Sequence, residues 1–194
     1  RSEKRELKYT RLEHGKLDKH IIAELGYRDN NVFYKKTIDK FNDVYIHISV
    51  DASGSMCGDK WHSSLETVTA IAKAVSMING IHLVISFRNT SYDSRERPFI
   101  IVAYDSKIDK FKKIELLFKY LNPGGFTPEG LTFEAIFDEF PKYSKDIDKY
   151  FVNFSDGLPC FRTFNSNDGI EETRKQVKKL INNDVNVISY YIES

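Results

Sequence analysis

Residues 44–50, "VYIHISV", are apolar or β-branched almost without interruption, and they break directly into "DASGSM" at 51–56. A strand of that composition has to be covered on both faces, which is the situation of a central strand in a parallel sheet and not of a half-solvated hairpin. The next segment supplies one cover. Over residues 59–79, Trp61, Leu65, Val68, Ala72, Val75 and Ile78 recur three and four positions apart, the stripe of an amphipathic helix, with Gly80 placed to cap its end.

The same alternation continues along the chain. "IHLVISF" at 81–87 is a second buried strand; the charged, turn-rich "RNTSYDSRER" separates it from "PFIIVAY" at 98–104, which is expected to pair with it as a hairpin at the sheet edge. Ile108, Phe111, Ile114, Leu117, Phe118 and Leu121 form a second helical stripe, stopped by "NPGG" at 122–125. Pro128 then opens a third helix as its N1 residue, with Leu131, Ala135, Ile136 and Phe140 as the apolar face. "YFVNF" at 150–154 is a further strand. Asp168 and Glu171 have capping-box spacing before a helix that turns Ile170, Val177, Leu180 and Ile181 inward, and "VNVISYYI" at 185–192 is the last strand. The expected fold is α/β: a doubly wound, mostly parallel central sheet with an antiparallel edge strand and helices on both faces.

Composition narrows the function classes. With 194 residues, 41% of them hydrophobic, the chain can bury one ordinary core. No apolar stretch approaches the roughly 20 residues that cross a bilayer, and no signal core follows the charged start, so a cytoplasmic protein without membrane contact is expected. Arg1 in place of Met points to a fragment. Net charge is +1, but residues 1–40 hold 11 Lys/Arg against 7 Asp/Glu. Residues 1–43 are therefore read as a basic extension packing on the domain formed by 44–194, a solvated or partner-facing surface lacking the aromatic interleaving of a nucleic-acid groove. Cys57 and Cys160 are the only cysteines and are expected to be reduced.

Ligands of such sheets bind beyond the carboxyl ends of the strands, which selects the loops 51–58, 122–128 and 155–167. Asp51, Ser53 and Ser55 are spaced by two, so in an extended segment their side chains point the same way. Thr127 comes from the second loop and Asp156, in "FSDGLP", from the third. All five are oxygen donors, a set suited to a hard cation such as Mg²⁺ or Mn²⁺, with only two carboxylates to balance its charge. Taken singly, each has an ordinary explanation: Asp51 as a turn residue, Ser53 and Ser55 as helix caps, Thr127 as an N-cap, Asp156 as the start of an Asp-Gly turn. Their common position on one sheet edge favours the metal.

"DASGSM", "GGFTPEG" and "FSDGLP" resemble the three segments of the metal-ion-dependent adhesion site in von Willebrand factor A domains. The resemblance spans residues 44–192. It implies a non-catalytic, Mg²⁺-dependent protein-binding module in which an Asp or Glu of the partner completes the coordination sphere. It also implies a further strand and closing helix after "VNVISYYI", so the domain is expected to lack its last elements, either because the fragment is cut short or because the N-terminal 40 residues cover that side. A narrower resemblance, through Arg11, Gly15, Leu17 and Asp18 ahead of the first motif, is to the C-terminal region of the CobT subunit of cobaltochelatase. It implies a non-catalytic subunit of an ATP-dependent, chelatase-like complex of cobalamin biosynthesis, with an AAA+ ATPase as partner. "GGFTPEGLTFEA" departs from the CobT segment and is closer to general A domains.

Two rivals come from other classes. A metal-dependent hydrolase or phosphotransferase of the haloacid-dehalogenase type needs a second acid where Ser53 stands, and no nucleophile elbow, dinucleotide fingerprint or Walker loop occurs. An extracellular adhesion receptor would use the same site but would bring a signal and disulfides. Of the five His residues, His47 and His82 fall within strands and read as core; His62 is near the first loop in sequence.

Overall fold

The computed structural model describes residues 4–40, 42–91, 97–141, 147–157, 159 and 166–192. The chain divides into two compact units, Arg1–Asn42 and Asp43–Ser194.

The first unit is an antiparallel sheet of β1 (Lys4–Leu12), β2 (Lys16–Leu17) and β3 (Phe33–Lys40) in the order β1-β3-β2, with a 3₁₀ turn over Ile22–Tyr27. The sequence reading assigns no elements here. "KRELKYTRL" shows no period-two apolar pattern, and among the described side chains of this unit only Asp18 and Val32 are buried. Asp18 accepts the Lys8 ammonium at 3.1 Å and the backbone N–H of His20 at 3.1 Å; the His20 N–H, then Lys8, hold its carboxyl below the usual range. Gly15 has φ +143°, and a Cβ there would meet the Tyr34 carbonyl oxygen at 2.6 Å. Arg11 pairs with Glu24 at 3.1 Å, and Leu17 lies opposite Phe33. The four residues that carry the CobT resemblance thus each have a local structural task in this sheet.

The second unit is a five-stranded sheet. Its elements are β4 (Asp43–Asp51), α1 (Asp59–Val75), β5 (Ile81–Thr90), β6 (Pro98–Asp105), α2 (Lys112–Leu117), α3 (Glu129–Glu139), β7 (Ile147–Ser155), α4 (Ser166–Ile181) and β8 (Val185–Tyr191). Strand order is β6-β5-β4-β7-β8; β5 and β6 pair antiparallel and the other neighbours are parallel. The α/β class and the antiparallel edge hairpin are as the sequence predicts. Pro98 begins the edge strand, where its missing N–H costs no central ladder bond.

Alternation along the strands divides the core in two. Ile48, Val50, Leu83, Ile85 and Phe87 pack with Trp61, Val68 and Ala72 of α1 and Ile114 of α2. Tyr45, Val84 and Phe151 pack with Phe133 and Ile136 of α3 and Leu180 of α4. Successive side chains of one strand point to opposite faces, so these clusters are the two covers of one sheet. Each large apolar side chain buried there contributes about 1.5–3 kcal/mol.

Several boundaries differ from the sequence reading, each for a physical reason. Helix α1 ends at Val75, and Gly80, at φ +85°, leads into β5 instead of capping the helix. The second stripe yields only the six residues of α2 followed by a 3₁₀ turn, Phe118–Tyr120. Pro128 is the N-cap of α3 and not its N1 residue. The buried face of α3 is Glu129, Gly130, Thr132, Phe133 and Ile136, while Ala135 is exposed, because Gly130 lets α4 come close: a Cβ there would lie 2.8 Å from the Thr173 nitrogen. Helix α4 starts at Ser166, which puts Asp168 inside its first turn and removes the capping box; Ile181 is 55% exposed. Strand β5 runs on to Thr90, so "RNT" belongs to the sheet and not to the turn.

Candidate metal centre

From β4 the chain proceeds to one side of the sheet through β5 and returns on the other through β7, which makes the carboxyl end of β4 the topological switch point. Asp51 is the last residue of β4, and Asp156 follows directly on β7, paired in parallel with β4 through Val50 and Phe154. The sheet itself therefore delivers the two carboxylates to one place.

The first loop turns back immediately. Asp51 is fully buried; its Oδ1 accepts the Ser53 N–H at 2.8 Å and its Oδ2 the Ser155 hydroxyl at 3.3 Å. A 3₁₀ turn over Gly54–Met56 then brings Ser55 beside Ser53, with the two hydroxyl oxygens 3.0 Å apart. The Ser55 hydroxyl donates to Asp156 Oδ1 at 2.8 Å. Lys60, in the first turn of α1, donates to Asp156 Oδ2 at 2.9 Å.

Thr127 is buried, and the residues just before it are tied to the first loop and to β5. Gly124 N–H donates to the Ala52 carbonyl at 2.7 Å, Gly54 N–H to the Gly125 carbonyl at 3.1 Å, and Phe126 N–H to the Thr90 hydroxyl at 3.0 Å. Gly125 sits at φ +69°, and a Cβ would come within 2.5 Å of the Thr90 hydroxyl and 2.6 Å of Asn89 Oδ1. Only glycine fits here against the end of β5 without strain.

Under this edge lies a charged network that the sequence reading missed. Arg88 is fully buried. One guanidinium nitrogen, Nη1, reaches the Ser49 carbonyl and hydroxyl, both at 3.1 Å; the other, Nη2, reaches Glu129 Oε1 and the Phe154 carbonyl at 3.1 Å and stands 3.6 Å from Asp51 Oδ2. Asn153 Nδ2 donates to the same Glu129 oxygen at 2.8 Å. The signal was present as polar residues interrupting apolar strands, Arg88 after "IHLVISF" and Asn153 inside "YFVNF".

The donor set fits a hard divalent ion. Two cis ligands of an octahedral ion at about 2.1 Å are separated by about 3.0 Å, close to the spacings seen between Ser53 and Ser55 and between Ser55 and Asp156. The groups that could ligate the ion are all oxygens, and the Lys60 ammonium stands among them on Asp156. Among the described residues no group of three or more His, Cys, Asp and Glu side chains gathers as a metal cluster, so the site rests on hydroxyls as much as on acids. His62 is exposed, and Cys57 is a free, exposed thiol. Cys160 and much of the third loop, 158 and 160–165, lie outside the described residues.

No family model matches the sequence, and neither does any curated protein. Solved structures do match in fold. The pilus adhesin SpaC of Lactobacillus rhamnosus GG superposes with a TM-score of 0.59 at 11% identity over 79% of this chain and 25% of that one. Manganese-loaded TRAP of Plasmodium vivax gives 0.58 at 14% identity over 100% and 63%. A von Willebrand factor type A protein of Catenulispora acidiphila gives 0.55 at 15% identity over 80% and 34%. The chain has a von Willebrand factor A-like fold. It spans less than two thirds of the length of each of these three neighbours.

Proposed function

We propose that Asp51, Ser53, Ser55, Thr127 and Asp156 hold Mg²⁺ or Mn²⁺, and that the A-like unit binds a protein partner through an Asp or Glu presented to that ion. The observation that carries this reading is the Ser53–Ser55–Asp156 line of oxygens, 3.0 and 2.8 Å apart, beside Asp51 at the switch point. The chain's part is to preorganise: the Ser53 N–H and Ser155 hydroxyl fix the Asp51 carboxylate, and Gly125 fixes the loop of Thr127. The ion, when bound, supplies the positive charge that recognises the partner's carboxylate. On this reading the module acts by binding its partner.

Adhesion-type ligand binding is favoured over the ATPase-linked relay. SpaC is a pilus adhesin and TRAP is a manganese-loaded protein. The CobT-like residues are accounted for by the packing of the first sheet. This reading places the domain on a surface where it meets its ligand, in preference to the cytoplasm.

Calorimetric titration of Mg²⁺ and Mn²⁺ into the protein and into Asp51→Ala tests the site. Saturable binding that the substitution abolishes is expected. Equal heats in the two proteins, or none in either, would remove the metal from the proposal.

A further inference from the structure

Lys60 is an unexpected neighbour for a metal-binding carboxylate. It lies in the first turn of α1, a helix of 17 residues, where the macrodipole disfavours a cation. Its placement is therefore answered by something other than the helix, and that partner is Asp156: Nζ to Oδ2 is 2.9 Å, with the Lys60 side chain 22% exposed and the Asp156 side chain 2%. Asp156 is thus already matched on both oxygens, by the Ser55 hydroxyl and by an ammonium.

The formal charges around the edge sharpen the point. Asp51, Glu129 and Asp156 are three carboxylates; Arg88 and Lys60 are two cations, each within 3.6 Å of at least one of them. The set carries one net negative charge, and a divalent ion would leave it with one positive charge, the amount a single external carboxylate neutralises. Without Lys60 the same set carries two negative charges and the ion alone would neutralise it.

We propose that Lys60 is an intrinsic rival of the divalent ion for Asp156, so that the free domain holds metal weakly and the loaded site keeps a surplus positive charge for the partner's acid. The inference rests on the metal reading above. Removing the ammonium strengthens metal binding and removes the surplus, whereas a lysine that merely braced the loop would on removal weaken metal binding or leave it unchanged.

The test is titration of the protein with Mn²⁺ alone, reading free ion by electron paramagnetic resonance, on wild type, Lys60→Met, Lys60→Gln and Asp51→Ala, with circular dichroism to confirm folding. Met and Gln keep most of the side-chain volume and lose the charge. Expected is Mn²⁺ binding tighter by up to about fivefold in Lys60→Met and Lys60→Gln than in wild type, the effect of removing one competing ion pair. Unchanged or weaker binding in the folded Lys60 variants, with Asp51→Ala still abolishing it, would overturn the rivalry and leave the metal site standing. No Mn²⁺ retained by wild type or by either Lys60 variant would overturn both.

Discussion

The five-stranded sheet buries polar side chains in two places and treats them in opposite ways. At its carboxyl edge Arg88 stays charged, held by Ser49, Glu129 and the Phe154 carbonyl and close to Asp51. In the middle of the same sheet His47 is 1% exposed, joined to the Ser86 hydroxyl at 2.9 Å, stacked on Phe140 and, among the described residues, left with no partner for Nδ1. Burial, and then the nearby His82, push its pKa down to about 3. Charge survives burial where opposite charges and carbonyls converge on it, and is given up where aromatic rings and a single neutral hydroxyl surround it. The first arrangement lies under the candidate metal loops, and the second serves packing.

The most severe way to break this contrast is to remove the buried cation. Arg88→Met leaves Glu129 and Asp51 buried without their guanidinium, and a loss of about 3–5 kcal/mol is expected. Urea unfolding measures it. The double variant Arg88→Met, Glu129→Leu should recover part of the loss, since it also removes one stranded charge; a double variant no more stable than the single one would show that the network is not held by this pair.

How much of this contrast was legible in the sequence depended on whether apolar periodicity spoke for the residue. Strand β4, helix α1 and the edge hairpin were readable because their cores are apolar and regular. The extension of β5 through Arg88 was not, because a charged residue beside Asn and Thr reads as surface and turn until its partners are known. Glu129 went unnoticed for the same reason, since its partners Arg88 and Asn153 lie 41 and 24 positions away. The sheet of the first unit escaped because its strands expose charge on both faces. For the candidate centre, the order Asp51, Ser53, Ser55 and the pairing with Asp156 could be anticipated from spacing and topology, whereas Lys60 could not: in sequence it is one more lysine in a helix.

A smaller effect is expected from the joint between the two loops. Gly125→Ala forces a left-handed backbone position on an L side chain and drives its Cβ into the Thr90 hydroxyl and Asn89. A cost of about 1–3 kcal/mol follows from strain of this kind. If the joint also positions Thr127, the variant binds Mn²⁺ more weakly in the titration described above, while its core, remote from the loop, still unfolds cooperatively. Unaltered metal affinity at reduced stability would separate the scaffold from the site.

The mildest prediction concerns His47, and its sign follows from the direction of the shift. The folded protein keeps the imidazole neutral down to about 3, whereas an unfolded chain protonates it near the ordinary 6.5. As pH falls below 6.5 the unfolded state binds a proton that the folded state refuses, so His47 costs stability progressively and its effect levels off only near pH 3. The slope from this residue is at most about 1.4 kcal/mol per pH unit. Carboxylates titrate over the lower part of the same range, so the measurement is a difference: stability against pH for wild type and His47→Leu, between pH 7 and 5. The wild-type curve should fall more steeply, and the two should run parallel above 7, where neither folded nor unfolded chain protonates the ring. Parallel curves throughout would mean that the folded protein accepts the proton at position 47, and the contrast between a charged edge and a neutral interior would then rest on Arg88 alone.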